Sequence, residues 1–186
     1  ALVDWLTIER ERTVPFEVEL TEQPLDWHCE DLTLSLKADR VDRLASGHRV
    51  VIDYKSGGSS RVSEWSEVPL KAPQLPCYSQ ALSDVVTIAI AKVGGEDAGF
   101  NALGDNIGVL VTDRKSQKVL MSADVSSLSE LNNQWAEALT SLVQSFVAGE
   151  AVPTPSASAC RYCDYAPVCR AHLLESVAQT GSASDE

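Results

Sequence analysis

Two aspartates and a lysine, Asp42, Asp53 and Lys55, are spaced so that they could do chemistry together. Asp53 and Lys55 are two apart in Val50-Val51-Ile52-Asp53-Tyr54-Lys55, a β-branched run that reads as a strand, so their side chains share one face. Ser46-Gly47-His48-Arg49 carries a turn signal. A two-residue turn at Gly47-His48 pairs Ser46 with Arg49, Leu44 with Val51 and Asp42 with Asp53, which places the two carboxylate-bearing Cβ atoms about 5 Å apart. Carboxylates that close repel unless a cation lies between them. Mg²⁺ takes carboxylate oxygens and keeps several waters. Water made more acidic by the metal can attack a phosphodiester, and Lys55 can orient it and offset developing charge. The plainer reading of a bare Asp-x-Lys is a surface ion pair on a hairpin. It weakens here because Val50-Val51-Ile52 suits a strand buried on both faces, and charges at the end of such a strand need partners.

A second group is Cys160-x2-Cys163-x5-Cys169. With Cys29 and Cys77 the chain has five cysteines, an odd number that does not suggest a closed disulfide set. The clustering resembles metal or cluster ligation more than the stapling of a secreted domain, and a cytoplasmic location fits. Three unligated thiols are the alternative. Cys77 is read as packing, and Cys29 as a loop or partly buried residue.

These residues need elements to position them. Residues 1–11 read as the end of an amphipathic helix with Leu2, Trp5, Leu6 and Ile8 inward. Thr13–Thr21 alternates as a strand that Pro24 breaks, and Leu32–Leu36 alternates as a second that could continue through Val41 and Leu44. A helix is expected from Ala72-Pro73, with Pro in its first turn. Val85–Val93 reads as a buried strand, Gly94–Asp105 as loop, and Ile107–Thr112 as another strand. Ser127–Gly149 is the clearest helix, with a Ser-x-x-Glu cap at Ser127/Glu130, an apolar stripe of Leu128, Leu131, Trp135, Leu139, Leu142, Val143 and Phe146, and Gly149 as its stop.

In chain order, Asp42, then Ile52-Asp53-Tyr54-Lys55-Ser56-Gly57, then Gln74-Leu75-Pro76-Cys77-Tyr78, then the three cysteines resemble the PD-(D/E)xK nuclease core of the RecB/AddB type. Glu9-Arg10-Glu11-Arg12 and Glu22-Gln23-Pro24 resemble its bacterial branch of probable DNA repair proteins. The resemblance spans about residues 5–172. It implies a restriction-endonuclease-like α/β fold: a mixed β-sheet flanked by helices, with a C-terminal cysteine-cluster segment. It implies Asp42, Asp53 and the Tyr54 carbonyl as ligands of Mg²⁺ or Mn²⁺, Lys55 as the catalytic lysine, and Gln74 and Tyr78 beside the site. Glu22 is the best match to an upstream acidic or His residue of the family; a solvated loop residue is the alternative. Cys160, Cys163 and Cys169 would be three ligands of a [4Fe–4S] cluster that is incomplete in this chain.

The expected function is therefore a metal-dependent DNA nuclease, an exonuclease rather than an endonuclease, in a helicase-associated repair or recombination protein of which this chain is a fragment. DNA and a helicase-like region or subunit are its expected partners. The alternative is a non-catalytic DNA-binding or structural module that keeps the fold. Arg61 and Lys71 are the better candidates for phosphate contact among Arg40, Arg43, Arg61, Lys71, Arg114, Lys115 and Lys118. Trp65 is either core packing or a base contact.

Composition frames these expectations. The chain has 186 residues, 44% of them hydrophobic, and a net charge of −12, from 15 Lys plus Arg against 27 Asp plus Glu. That excludes a wholly disordered chain and a bulk electrostatic binder of nucleic acid. No apolar run is long enough for a membrane span. The expected organisation is a nuclease core over 1–152, a cysteine segment over 153–172 and a disordered tail over 173–186.

Overall fold

The computed structural model describes residues 2–57, 65, 70, 72–95, 98–110, 127–150, 160, 161, 163–165, 168 and 169. Arg61, Lys71, Arg114, Lys115 and Lys118 lie outside the described residues, as do 111–126, 151–159 and 170–186. The chain divides into two units, Ala1–Val147 and Ala148–Glu186. Among the described residues, no helix is long and apolar enough to cross a membrane.

In the first unit, α1 (Leu2–Arg10) precedes β1 (Phe16–Cys29), β2 (Leu32–Leu44) and β3 (Arg49–Lys55). Next come α2 (Gln74–Ala81), β4 (Val85–Lys92), β5 (Gly99–Gly104), a 3-10 turn over Ile107–Val109, and α3 (Leu128–Val147). The described strands form one mixed sheet in the order β1-β2-β3-β4-β5. Its pairs are antiparallel except β3–β4, which is parallel and joined by a crossover through α2. The sheet is covered on both faces, which accounts for the continuous apolar runs of β3 and β4. One face packs Val41, Val51, Ile88 and Ile90 with Leu75 and Tyr78 of α2 and Leu131, Trp135 and Leu139 of α3. The other packs Val50, Ile52, Ala89 and Phe100 with Trp5 of α1 and Val109.

Several elements differ from expectation for physical reasons. β1 runs through Pro24 because it is the outermost strand, where a missing N–H costs no ladder bond. Gly99–Gly104, expected as loop, is β5, paired along β4 from Lys92↔Gly99 to Thr87↔Gly104. The run from Ile107, expected as a strand, instead starts as a 3-10 turn; its end at Thr112 lies outside the described residues. α3 begins as its capping pattern requires, with Glu130 N donating to Ser127 Oγ at 3.1 Å. Its stripe is narrower than expected: Leu142 and Phe146 are exposed, as are Leu2 and Leu6 of α1.

The β2–β3 connection matters most. Leu44 N donates to His48 O at 2.8 Å, and Gly47 N to Leu44 O at 2.9 Å. The loop is thus three residues, Ala45-Ser46-Gly47, with Gly47 at φ +87°. A turn closed by a residue in the left-handed region is the usual three-residue hairpin loop, and glycine suits it. This loop pairs Asp42 with Val50, not with Asp53.

Candidate active site

β3 carries Asp53 and Lys55 on the face covered by α2. The last paired residues of β2 and β3 are Arg40 and Ile52. One step further along the register, Asp39 comes opposite Asp53. There the ladder is continued by a side chain: Tyr54 N donates to Asp39 Oδ2 at 2.7 Å. Asp39, which sequence reasoning missed, therefore stands where Asp42 was expected. Gly47 is equally compatible with a three-residue loop, and counting outward from that loop leads to Asp39.

Asp53 is 1% exposed. Its Oδ2 lies 2.8 Å from the Lys55 ammonium, a charge-assisted contact. Burial pushes the Asp53 carboxyl up and the Asp39 charge adds to this, while Lys55 works against both. The hydrogen bond to Asp53 holds the Lys55 ammonium above its ordinary range. Lys55 Nζ also donates to Gln74 Oε1 at 3.3 Å. Gln74 and Tyr78 are four apart in α2 and so share a face. Gln74 Nε2 donates to the Tyr78 hydroxyl at 2.9 Å, and that hydroxyl donates to Lys37 O at 2.7 Å. A continuous chain of contacts thus runs from Asp53 through Lys55, Gln74 and Tyr78 back to β2, two residues before Asp39.

Asp42 belongs elsewhere. Fully buried on the opposite face, it accepts from Arg40 Nε at 2.6 Å, Arg40 Nη2 at 2.9 Å and Arg12 Nη1 at 2.7 Å. Two guanidinium groups engage both of its oxygens and already neutralise it, which disfavours a further cation there. Arg40, committed to Asp42, is likewise no surface phosphate contact, and Arg43 pairs with Glu19 at 2.6 Å.

Glu22 lies between the pairs Thr21↔Arg40 and Gln23↔Ala38, across from Asp39. Its φ is +49°, and its exposed side chain pairs with Lys37 at 2.9 Å instead of turning to the aspartates. Trp65 is 2% exposed and its carbonyl accepts the Trp135 indole N–H at 2.6 Å, which makes it core and leaves no ring face for a base.

A divalent cation suits the Asp39–Asp53 corner. It offers the buried Asp53 carboxylate, a second carboxylate across the ladder, and the adjacent Tyr54 backbone. Among the described residues no three His, Cys, Asp or Glu side chains gather as a metal cage, so the side-chain ligands there number two, with backbone and water to complete the set.

In the second unit, Cys163 N donates to Cys160 O at 3.3 Å and Cys169 N to Tyr165 O at 2.7 Å. Cys160 and Cys163 are exposed and Cys169 is partly buried; all three are free thiols. They are one short of the four that a [4Fe–4S] cluster takes, and among the described residues no three of them gather as a metal site.

The sequence profile of the PD-(D/E)XK nuclease superfamily matches residues 1–170. No curated protein matches the chain.

Proposed function

Because the chain belongs to the PD-(D/E)XK nuclease superfamily, we propose that it is a divalent-metal-dependent deoxyribonuclease whose site is Asp39, Asp53, Tyr54, Lys55, Gln74 and Tyr78. The observation that carries this reading is the meeting of Asp39, Asp53 and Lys55 at the open end of the β2–β3 ladder. The Asp39 and Asp53 carboxylates and the Tyr54 carbonyl would hold Mg²⁺ or Mn²⁺. Bound there, the ion supplies an acidified water and neutralises charge on the phosphodiester. The water oxygen would bond to phosphorus as the bond to one ester oxygen breaks, and the proton given up by the water to solvent is matched by one taken from solvent by the leaving oxygen. Lys55 orients the water and offsets charge on the phosphoryl oxygens. Gln74 holds the Lys55 ammonium, and Tyr78 fixes Gln74 against β2.

The test is cleavage of labelled linear and circular DNA with Mg²⁺ or Mn²⁺ by wild type, Asp39→Asn, Asp53→Ala and Lys55→Ala. Loss of cleavage in all three variants is expected. Activity that survives Asp53→Ala would overturn the mechanism. Linear DNA cut while circles persist supports the exonuclease reading, and cut circles make it an endonuclease.

The finer reading, a nuclease domain of a helicase-associated repair or recombination protein, is supported by the order of the motifs and by the net charge of −12. An acidic chain grips a polyanion weakly, so a larger assembly delivers the strand. Co-purification with an ATP-dependent unwinding activity is expected; nuclease and unwinding activities that separate completely would remove that part. The iron–sulfur reading rests on the spacing of Cys160, Cys163 and Cys169 alone, and no step of the reaction depends on it. Iron and sulfide analysis of the anaerobically purified protein decides it.

A further inference from the structure

Behind the candidate site, on the opposite face of the sheet, lies a second set of charges. Arg12, Arg40, Glu9 and Asp42 form a cluster of two cations and two anions. Arg40 Nη1 donates to Glu9 Oε1 at 2.9 Å, and Arg12 Nη1 approaches Glu9 Oε2 at 3.3 Å, beside the three bonds to Asp42. The Arg12 guanidinium also lies 3.6 Å from the Phe16 ring centroid, and Arg12 Nε donates to Val109 O at 3.2 Å. Burial opposes the Arg40 charge, but its bonds to Asp42 outweigh that and keep it firmly cationic. Opposite charges buried together hold one arrangement, since moving any member strands another.

This cluster reaches the site through the Tyr54 hydroxyl. Arg40 Nη1 donates to the Tyr54 hydroxyl at 2.9 Å, and the Tyr54 ring packs edge-on to Trp5 at 5.8 Å. Tyr54 sits between Asp53 and Lys55, and its backbone N–H is the donor to Asp39. Arg40 is itself the chain neighbour of Asp39. Beyond Arg40↔Ile52 the backbone ladder stops, so two side-chain bonds hold the strands at the point where the carboxylates must stay together. Asp39 takes the Tyr54 amide on one face, and Arg40 takes the Tyr54 hydroxyl on the other.

We propose that Arg40, acting through the Tyr54 hydroxyl, is a positioning residue that sets the separation of Asp39 and Asp53. The inference rests on the metal-site reading above. A merely structural cluster would cement α1 to the sheet and leave the site indifferent to the Tyr54 hydroxyl. A positioning cluster makes that hydroxyl matter to the ligands.

The test uses the full chain with Tyr54→Phe, which keeps the ring against Trp5, and Arg40→Lys, which keeps the charge but loses the fork. Mn²⁺ affinity of the DNA-free protein is measured by electron paramagnetic resonance, and exchange of the residue-54 amide by NMR. Both variants are expected to bind Mn²⁺ about tenfold more weakly and to exchange that amide at least about tenfold faster. For Tyr54→Phe, kcat is expected to fall with KM for DNA unchanged. Residue-54 protection equal to wild type in Tyr54→Phe overturns the proposal, even if Arg40→Lys fails to fold. If wild type binds no Mn²⁺, the metal-site reading fails on its own, while the amide exchange still decides whether Arg40 holds the strands.

Discussion

Asp39 Oδ2 accepts the Tyr54 backbone N–H at 2.7 Å, and this bond joins the two strands at the candidate metal corner. Asp39→Asn keeps the shape and removes the charge. Cleavage is expected to fall at least about a hundredfold with little change in the thermal midpoint. Asp42→Asn should act first on stability, because it leaves Arg12 and Arg40 buried without their shared anion, at about 3–5 kcal/mol, with a smaller loss of cleavage that follows from the loosened Arg40. Thermal melts and single-turnover rates of the two variants check this. Equal activity losses with equal melting points would refute the assignment.

Much of the fold is legible from pattern alone. β3, β4 and α3 follow from their β-branched runs and their cap, whereas Gln74 and Tyr78 follow from the resemblance to the nuclease core. The missed aspartate has a local cause. A hairpin's register depends on loop length, and Gly47 serves either a two-residue or a three-residue turn. A shift of three residues exchanged Asp42 for Asp39 and, because three is odd, exchanged one face of the sheet for the other. β5 was hidden because its glycines at 99 and 104 resemble loop punctuation. The core role of Trp65 depends on a contact with Trp135, seventy positions away, which no local pattern carries.

Acid stability should depend on Glu19. Its carboxylate accepts from Arg49 Nε and Nη2, both at 2.8 Å, and from Arg43 Nη2 at 2.6 Å. The Arg49 bond first, then the Arg43 bond, holds its carboxyl at about 2, below the ordinary 4.5. The folded value is depressed, so its contribution is complete above pH 4.5 and is lost as pH falls towards 2. Glu19→Gln should flatten the midpoint-versus-pH curve in that window. Parallel curves for the two proteins would count against it.

Gly104 ends β5 where the backbone of β4 is closest. A Cβ there would fall onto the Val86 carbonyl oxygen and the Thr87 Cα. Both are backbone atoms of a central strand and cannot give way. Gly104→Ala is expected to cost about 1–3 kcal/mol or more, read as a lower urea midpoint at unchanged slope. An unchanged midpoint would show that the strands can part there.

Thiol labelling should separate the cysteines. Burial pushes the Cys77 thiol up to about 11, whereas Cys160 and Cys163 are exposed. In metal-free protein at neutral pH, a disulfide reagent is expected to modify Cys160 and Cys163 quickly, and Cys77 only after denaturation. Mass spectrometry of partly labelled protein identifies the sites, and early modification of Cys77 would contradict its burial.

The parallel pairing of β3 with β4 has a kinetic consequence. Asp39 and Asp53 come from a hairpin closed by three residues, so the acidic half of the site can form from local contacts. Gln74 and Tyr78 come from the crossover that must wrap before β4 can lie beside β3. Contacts across so long a loop form late and slowly. The aspartates are therefore expected to face one another before their lysine is held in place. Folding-rate ratios of Val51→Ala and Ile88→Ala would show this order as a higher φ-value for the hairpin residue.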